Sequence, residues 1–201
     1  GRLRVRNGDL TLTGGGGGDG ELRVESFSVT FAAGNTGEFG SINHTGNSLI
    51  VENGATATVR TLLSYNFTDE TRLNFGASGA LRVIGGQSGN TCDVRTVAQI
   101  EVAGLDQGNT SAGFSDNFQL PRLIIGEGAK VALVDLVNNG NRNGPSGAAE
   151  ALYVNSLEFE DAAGLLALNG IHLYYETLVG TEDQITQRTD CNGNGRPDEC
   201  D

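Results

Sequence analysis

The last twelve residues of the chain, 190–201, carry oxygen-bearing side chains at the spacing of a calcium-binding loop. Counted from Asp190 as position 1, these side chains occupy positions 1, 3, 5, 9 and 12, and Gly195 takes position 6, where the loop turns sharply. Position 7 contributes only a backbone carbonyl. Because hard cations prefer oxygen ligands, the run predicts Ca2+ as a cofactor. The predicted ligands are Asp190, Asn192, Asn194, Arg196 through its carbonyl, Asp198 and Asp201.

Two cysteines, Cys191 and Cys200, flank this loop and enclose eight residues between them. If they pair, the disulfide limits the freedom of the unbound loop and requires an oxidising compartment. The third cysteine, Cys92, is then left over, and we expect it either to pack as a small apolar residue or to bridge two molecules. Two ligands are neutral asparagines, which predicts a site suited to calcium levels outside cells, roughly 10⁻⁴–10⁻³ M.

The run Asp-Cys-Asn-Gly-Asn-Gly-Arg-Pro-Asp-Glu-Cys-Asp at residues 190–201 resembles the calcium repeats of thrombospondin type 3 and dockerin modules. The resemblance implies a calcium ion held by the ligands named above, and a secreted bacterial protein. Dockerins that bind cohesins carry two such repeats with helices between them, whereas this chain has one. A metal site is therefore implied, but a docking function is not.

The rest of the sequence consists of short apolar runs separated by glycine and asparagine turns. Alternation of apolar and polar residues predicts half-buried strands, and the runs lie about 25 residues apart, a spacing typical of a solenoid. We predict an all-β protein: a right-handed parallel β-helix of about seven irregular coils at 1–180, then a linker and the calcium loop at 181–201. A β-sandwich is the alternative, but it needs hairpins with short turns. The runs begin at Leu3, Leu22, Leu49, Leu73, Ile100, Leu123 and Leu152.

A second strand usually follows a turn that ends in Gly-Ala. This phrase leads into the predicted strands at 56–59, 81–84 and 130–134, where glycine and asparagine supply the corner conformations. Residues 165–168 follow Gly164 and are predicted as one more strand rather than a helix. The glycine run at 14–18 and the segment 138–147 are predicted to be loops from their composition.

The body from Leu3 to Tyr175 resembles, more loosely, the repetitive β-helical passenger regions of autotransporter-like bacterial surface proteins. The Gly-Ala turns and the closing phrase Leu-Asn-Gly-Ile-His-Leu-Tyr-Tyr at 168–175 carry this likeness. It implies a secreted, extended scaffold, a type of fold on which functions vary widely.

Composition and charge exclude several classes of function. The formal net charge is −12 and the thirteen Lys and Arg form no cluster, so neither nucleic acid nor an anionic membrane surface is an expected partner. No apolar window reaches the ~18 residues of a spanning helix. Glycine accounts for 31 of 201 residues without the three-residue period of collagen.

Few residues could form a catalytic centre. His44 and His172 lie far apart, and we expect each to be a surface or cross-strand residue. Two pairs could meet: Asp93 with Arg95, and Asp135 with Glu101 if the coils stack in register. We interpret both pairs as solvated charges on strand faces and do not expect an enzyme.

These features predict a non-enzymatic structural protein at the cell surface or outside the cell. The sequence opens directly on a strand-like run, with no capping helix before it, and an open solenoid end invites a strand from another subunit. We therefore expect the partner to be a second copy, in a head-to-tail filament or surface layer whose tail calcium orders. The alternatives are a solenoid that binds or cleaves cell-surface polysaccharide, and a monomeric adhesin or stalk fragment.

Overall fold

The computed structural model describes residues 1–5, 8–89, 94–142 and 150–187, and over these ranges the chain is a parallel β-solenoid of about eight turns. The prediction of an all-β solenoid is confirmed, and its handedness stays a prediction. No helix in these ranges has the length and apolar character that crossing a membrane requires. The helices described are short 3-10 segments at Glu70–Arg72, Val94–Thr96 and Glu182–Gln184.

Each turn passes over three faces, which we name A, B and C in chain order. Face A begins as a four-stranded sheet of β2 (Leu10–Leu12), β4 (Val29–Phe31), β6 (Leu49–Val51) and β8 (Leu73–Phe75). Face B contains the first halves of β3 (Gly16–Val24), β5 (Thr36–His44) and β7 (Thr56–Tyr65), and then β9 (Ala80–Val83). Face C contains β1 (Arg2–Val5), the second halves of β3, β5 and β7, then β10 (Ala98–Glu101), β12 (Lys130–Val134), β14 (Leu165–Ala167) and β16 (Ile185–Thr186).

Three long strands complete the later turns. They are β11 (Leu120–Ile125), β13 (Leu152–Phe159) and β15 (Leu173–Val179). Their second halves continue face B, because Leu123 pairs with Leu81 and with Leu157, and Leu157 pairs with Leu178. Their first halves occupy the place in the turn that face A has in the earlier turns. The last paired strand, β16, lies beyond residue 180, the predicted end of the solenoid body.

The Gly-Ala turns lie at two different corners of the solenoid. The turns at 52–55 and 76–79 separate face A from face B, and Ala80 N donates to Ala55 O across 2.9 Å. The turn at 126–129 separates face B from face C, and Lys130 N donates to Gly85 O across 3.0 Å. The three predicted strands after these turns are present, but β12 stacks in a different ladder from β7 and β9.

The spacing between stacked residues differs from the predicted average. On face C, Leu3 pairs with Leu22, Leu22 with Ile42 and Ile42 with Leu63, a repeat of about 20 residues. The run at Leu49 lies on face A, so the spacing of about 25 arose partly from comparing different faces. Later turns are longer because they carry inserted segments, and Leu63 pairs with Ile100.

The glycine run at 14–18 was expected to be a loop, but Gly16, Gly17 and Gly18 form the start of β3. They pair in parallel with residues 37–39 of the next turn. A Cβ atom on Gly17 would lie 1.7 Å from Glu38 O, so glycine allows a close approach of the two backbones. Composition alone predicted a loop because it carries no information on what packs against the run.

The core consists of stacked columns of inward side chains. In one column Leu22, Ile42, Leu63, Ile100 and Leu133 are each 1 % exposed or less. Aromatic rings pack at one corner: Tyr65 stacks on Phe67 and Phe118, with ring centroids 5.5 and 6.4 Å apart. His44 contacts Phe67 edge to face, and burial lowers the pKa of His44 to about 4, so the ring is neutral. His44 is therefore a buried cross-strand residue.

Candidate functional site

The predicted calcium loop and all three cysteines lie outside the described residues, as does Asp93. The metal site at the C-terminus and the disulfide therefore stay predictions. The residues concerned are Asp190, Asn192, Asn194, Arg196, Asp198, Asp201, Cys191, Cys200 and Cys92.

The first and last described turns of the solenoid expose part of its interior. Within the described residues, seven of the eight half-buried side chains that pack against the core belong to the end turns. Leu3, which continues the fully buried column of Leu22, is 47 % exposed. In the middle of the stack, each inward side chain packs against the turns above and below it. In the end turns, it packs against one neighbouring turn only. The seven are Val5, Leu10 and Leu12 at the N-terminal end, and Leu173, Tyr175, Leu178 and Ile185 at the C-terminal end.

Each of the described strands at these ends pairs with a neighbouring strand on one side only. Among the described strands, β1 pairs with β3 and β2 pairs with β4, while β15 pairs with β13 and β16 with β14. The outer N–H and C=O groups of these four strands can therefore accept a further parallel strand. Inside the solenoid, an edge of this kind is covered by the next turn.

The outermost strands at the two ends differ in charge, and Arg2 and Arg4 of β1 already pair with Glu21 and Glu25 of the next turn. Strand β1 holds Arg2 and Arg4 and no acid, whereas residues 173–187 hold no lysine or arginine. The acids of that last segment are exposed: Glu176, Glu182 and Asp183. Within the stack, arginines commonly pair with a glutamate on another turn, for example Arg82 with Glu160 and Arg122 with Glu158, at 2.6 and 2.8 Å. An end-to-end contact would extend this pattern.

A surface pocket of about 760 Å³ lies beside the inserted segment that follows β10. Asp106, almost fully buried, lies 2.6 Å from His172 Nδ1 and accepts a 2.9 Å hydrogen bond from Tyr174 OH. Burial and the carboxylate of Asp106 raise the pKa of Tyr174 to about 12. The ring of Tyr174 stacks on that of Tyr153 at a centroid distance of 4.8 Å. The pocket is lined by the ring of Tyr174 and the imidazole of His172, and the buried carboxylate of Asp106 holds both side chains in place.

No pattern in the sequence predicted this pocket. Asp106 and His172 are separated by 66 residues, and Asp106 lies in a segment with no counterpart in other turns. His172 was expected to be a surface residue, and its side chain is indeed about half exposed. Its pairing with Asp106 depends on how the inserted segment folds back onto β15, which the repeat pattern does not encode.

The structure does bring together one predicted pair, Asp135 and Glu101. Glu101 ends β10 and pairs with Val134, so Asp135 follows directly beside it. Glu150, which precedes β13, joins them, and one carboxylate oxygen from each of the three lies within 4.8 Å of the others. Glu101 and Glu150 are fully buried, which corrects the expectation of solvated strand-face charges. Glu150 was missed because it follows a long segment whose path the sequence does not indicate.

Comparison with known proteins returned no relative. No family model matches the chain. No curated protein and no solved structure matches it either. The function must therefore be inferred from the residues of the chain itself.

Proposed function

We propose that the protein is a non-enzymatic extracellular structural protein that stacks head to tail into a filament or surface layer. The observation that carries the proposal is the half-exposed interior at both ends of the solenoid. A second copy is the partner, because its opposite end offers the same three faces and places exposed acids next to the arginines of β1. We further propose that the solenoid is a right-handed β-helix, the form its sequence pattern predicts.

The energetics of such a contact can be bounded. Complete burial of one large apolar side chain contributes about 1.5–3 kcal/mol, so seven side chains that are each at most about a third exposed contribute at most about 4–8 kcal/mol. Loss of translational and rotational freedom costs roughly 4–15 kcal/mol. Apolar burial alone therefore at best offsets that cost. The backbone hydrogen bonds of the new ladders must supply most of the net affinity, because surface arginine–acid pairs contribute only about 0–1 kcal/mol each.

The ladder on face C defines the register of the contact. One column runs through every turn from Arg2 to Thr186. If a second copy continues the stack without a shift, its Arg2 lies next to Thr186 of the first. Glu182 and Asp183, at the preceding corner, then lie near the arginines of β1. The residues of this column are Arg2, Glu21, Ser41, Leu62, Gln99, Ala132, Ala167 and Thr186.

Calcium at the C-terminal loop is the second part of the proposal. The first predicted ligand, Asp190, comes four residues after Thr186, the last residue of β16, so the predicted loop follows the last described strand closely in sequence. Calcium bound there would order the tail or the subunit contact. The predicted Cys191–Cys200 disulfide and the predicted affinity both suit the outside of a cell.

Electron microscopy and sedimentation of the purified full chain test this proposal. In millimolar calcium at moderate salt we expect linear particles that lengthen with concentration, and with a chelator we expect shorter or fewer ones. Strictly monomeric particles in millimolar calcium would contradict self-assembly. Monomers that bind polysaccharide through the pocket of His172 and Tyr174 would favour the carbohydrate-binding alternative instead.

A further inference from the structure

The loop after β12 folds over a group of three carboxylates inside the solenoid. Glu101 accepts hydrogen bonds from the backbone N–H groups of Leu136 and Val137, at 3.2 and 2.8 Å. Glu150 Oε1 accepts from the N–H groups of Asn139 and Asn141, at 2.8 and 2.9 Å. The loop is therefore held in place by the two buried glutamates that flank it in space.

The charges of this group do not balance. Asp135 accepts from Arg142, whose Nε lies 3.0 Å from both carboxylate oxygens. The three carboxylates thus face one described guanidinium. Burial, together with the neighbouring acids Asp135 and Glu150, raises the pKa of Glu101 to about 7, and burial together with Asp135 raises that of Glu150 to about 7. Burying unpaired carboxylates is costly, so the site favours a bound cation over the empty, fully charged state.

Two oxygen atoms are buried without a hydrogen-bond partner: Oε2 of Glu150, which belongs to the cluster, and Oδ1 of Asn139, whose backbone N–H donates to Glu150. Both residues are 1 % exposed or less. The amide nitrogen of Asn139 donates to Phe67 O at 2.7 Å, and its backbone N–H donates to Glu150, so the residue is fixed against the cluster. Most buried polar atoms in proteins have a partner, and two free acceptors beside three carboxylates indicate a missing positive group.

We propose that Glu101, Asp135 and Glu150 bind one calcium ion inside the solenoid, with Asn139 Oδ1 as a further ligand. Calcium takes oxygen ligands at about 2.3–2.6 Å, so two ligands of one ion lie at most about 5 Å apart, which the 4.8 Å limit of this cluster satisfies. Three carboxylates, Arg142 and a divalent ion sum to zero charge. No histidine or cysteine belongs to the described cluster, which disfavours zinc.

This site is distinct from the predicted C-terminal loop. Glu101 is the last residue of β10, and Asp135 directly follows β12. Glu150 lies two residues before β13, next to Ala151, which forms an isolated β-bridge with Gly104. A bound ion would tie three consecutive turns together in the middle of the stack. It would stabilise the solenoid against unfolding whether or not the ends associate.

Calcium titration by calorimetry, with calcium chloride and the full chain, tests the proposal. The starting protein carries Asp190→Ala and Asp198→Ala, which remove the predicted tail site. We expect it to bind one calcium ion and to unfold at a higher temperature when calcium is present. Adding Glu150→Gln should lower the affinity at least 100-fold, whereas Glu158→Gln, which removes a surface carboxylate outside the cluster, should leave it within about threefold.

Two results would overturn the proposal. One is that the tail-deficient protein binds no calcium, a result that does not depend on whether the Glu150 variant folds. The other is that Glu150→Gln or Asp135→Asn, shown by circular dichroism to be folded, binds calcium as tightly as the starting protein. Neither result bears on head-to-tail stacking, which is measured separately.

Discussion

A protein carrying Leu12→Asp is expected to stay folded but to lose head-to-tail association by at least a thousandfold. Leu12 is a half-buried inward residue of β2 that packs against the core at the N-terminal end. Its further burial in a junction contributes about 0.5–1 kcal/mol, and placing a carboxylate there instead costs several kcal/mol more. Since 1.4 kcal/mol is a factor of ten in affinity, the combined loss exceeds three orders of magnitude. Sedimentation velocity over a concentration series measures it.

The matched control is Thr11→Asp, one residue away on the exposed side of the same strand. It adds the same charge without entering the interior, and association should change by less than about tenfold. A second variant, Leu178→Asp, blocks the other end. Mixing the Leu12 and Leu178 variants leaves one intact end on each, so the mixture should form dimers and nothing longer. Filaments from either single variant would show that the ends are not the contact.

Leu123→Ala is expected to cost about 3 kcal/mol of unfolding free energy, within the usual 2–5 kcal/mol for a buried leucine. Leu123 is fully buried in the middle of a face B column, with Leu81 on one side and Leu157 on the other. Leu178 ends the same column and is only half-buried, so Leu178→Ala should cost about 1 kcal/mol. Urea unfolding in the Leu12→Asp background keeps association from obscuring the difference.

Equal losses for Leu123→Ala and Leu178→Ala would contradict this account of the end turns. They would mean that Leu178 is as fully enclosed in the free monomer as Leu123 is. The end turn would then expose little interior to a second copy, and the driving force proposed for stacking would be absent.

Local pattern predicted the strands but not the ladders they join. Alternation identified β6, whose burial has a period of two, whereas β9 and β12 were identified as apolar runs after Gly-Ala turns, and β12 is buried at four consecutive residues. Turns of the same Gly-Ala type lie at two different corners, at 76–79 between faces A and B and at 126–129 between faces B and C. No local feature of the sequence distinguishes the two turns. Which corner a turn occupies depends on the lengths of the inserted segments between β9 and β11. The corner that a turn occupies is therefore decided by how the turns stack, and the residues next to it in sequence do not reveal it.

Site residues could be predicted only where they lie at the ends of paired strands, because the strand register then places them next to each other. Asp135 and Glu101 met as anticipated because both follow directly from paired strands on face C. Glu150, Asp106 and Asn139 lie in irregular segments, where their positions are decided by tertiary contacts such as the hydrogen bond from Asn139 to Phe67 O. Their burial could not be read from charge or hydropathy, because isolated acids and amides in loops are normally solvated.

The most direct measurement of the central claim is cross-linking between positions 2 and 186. Adjacent strands lie about 4.8 Å apart, which is within disulfide reach. The variant with both Arg2→Cys and Thr186→Cys should form a ladder of covalent multimers under mild oxidation, at little cost in affinity from losing one surface arginine. Each single variant, with the native cysteines intact, is the control. If the double variant forms no more multimers than the single ones, or if pairing Arg2→Cys with Ile185→Cys cross-links equally well, the ends do not stack in register.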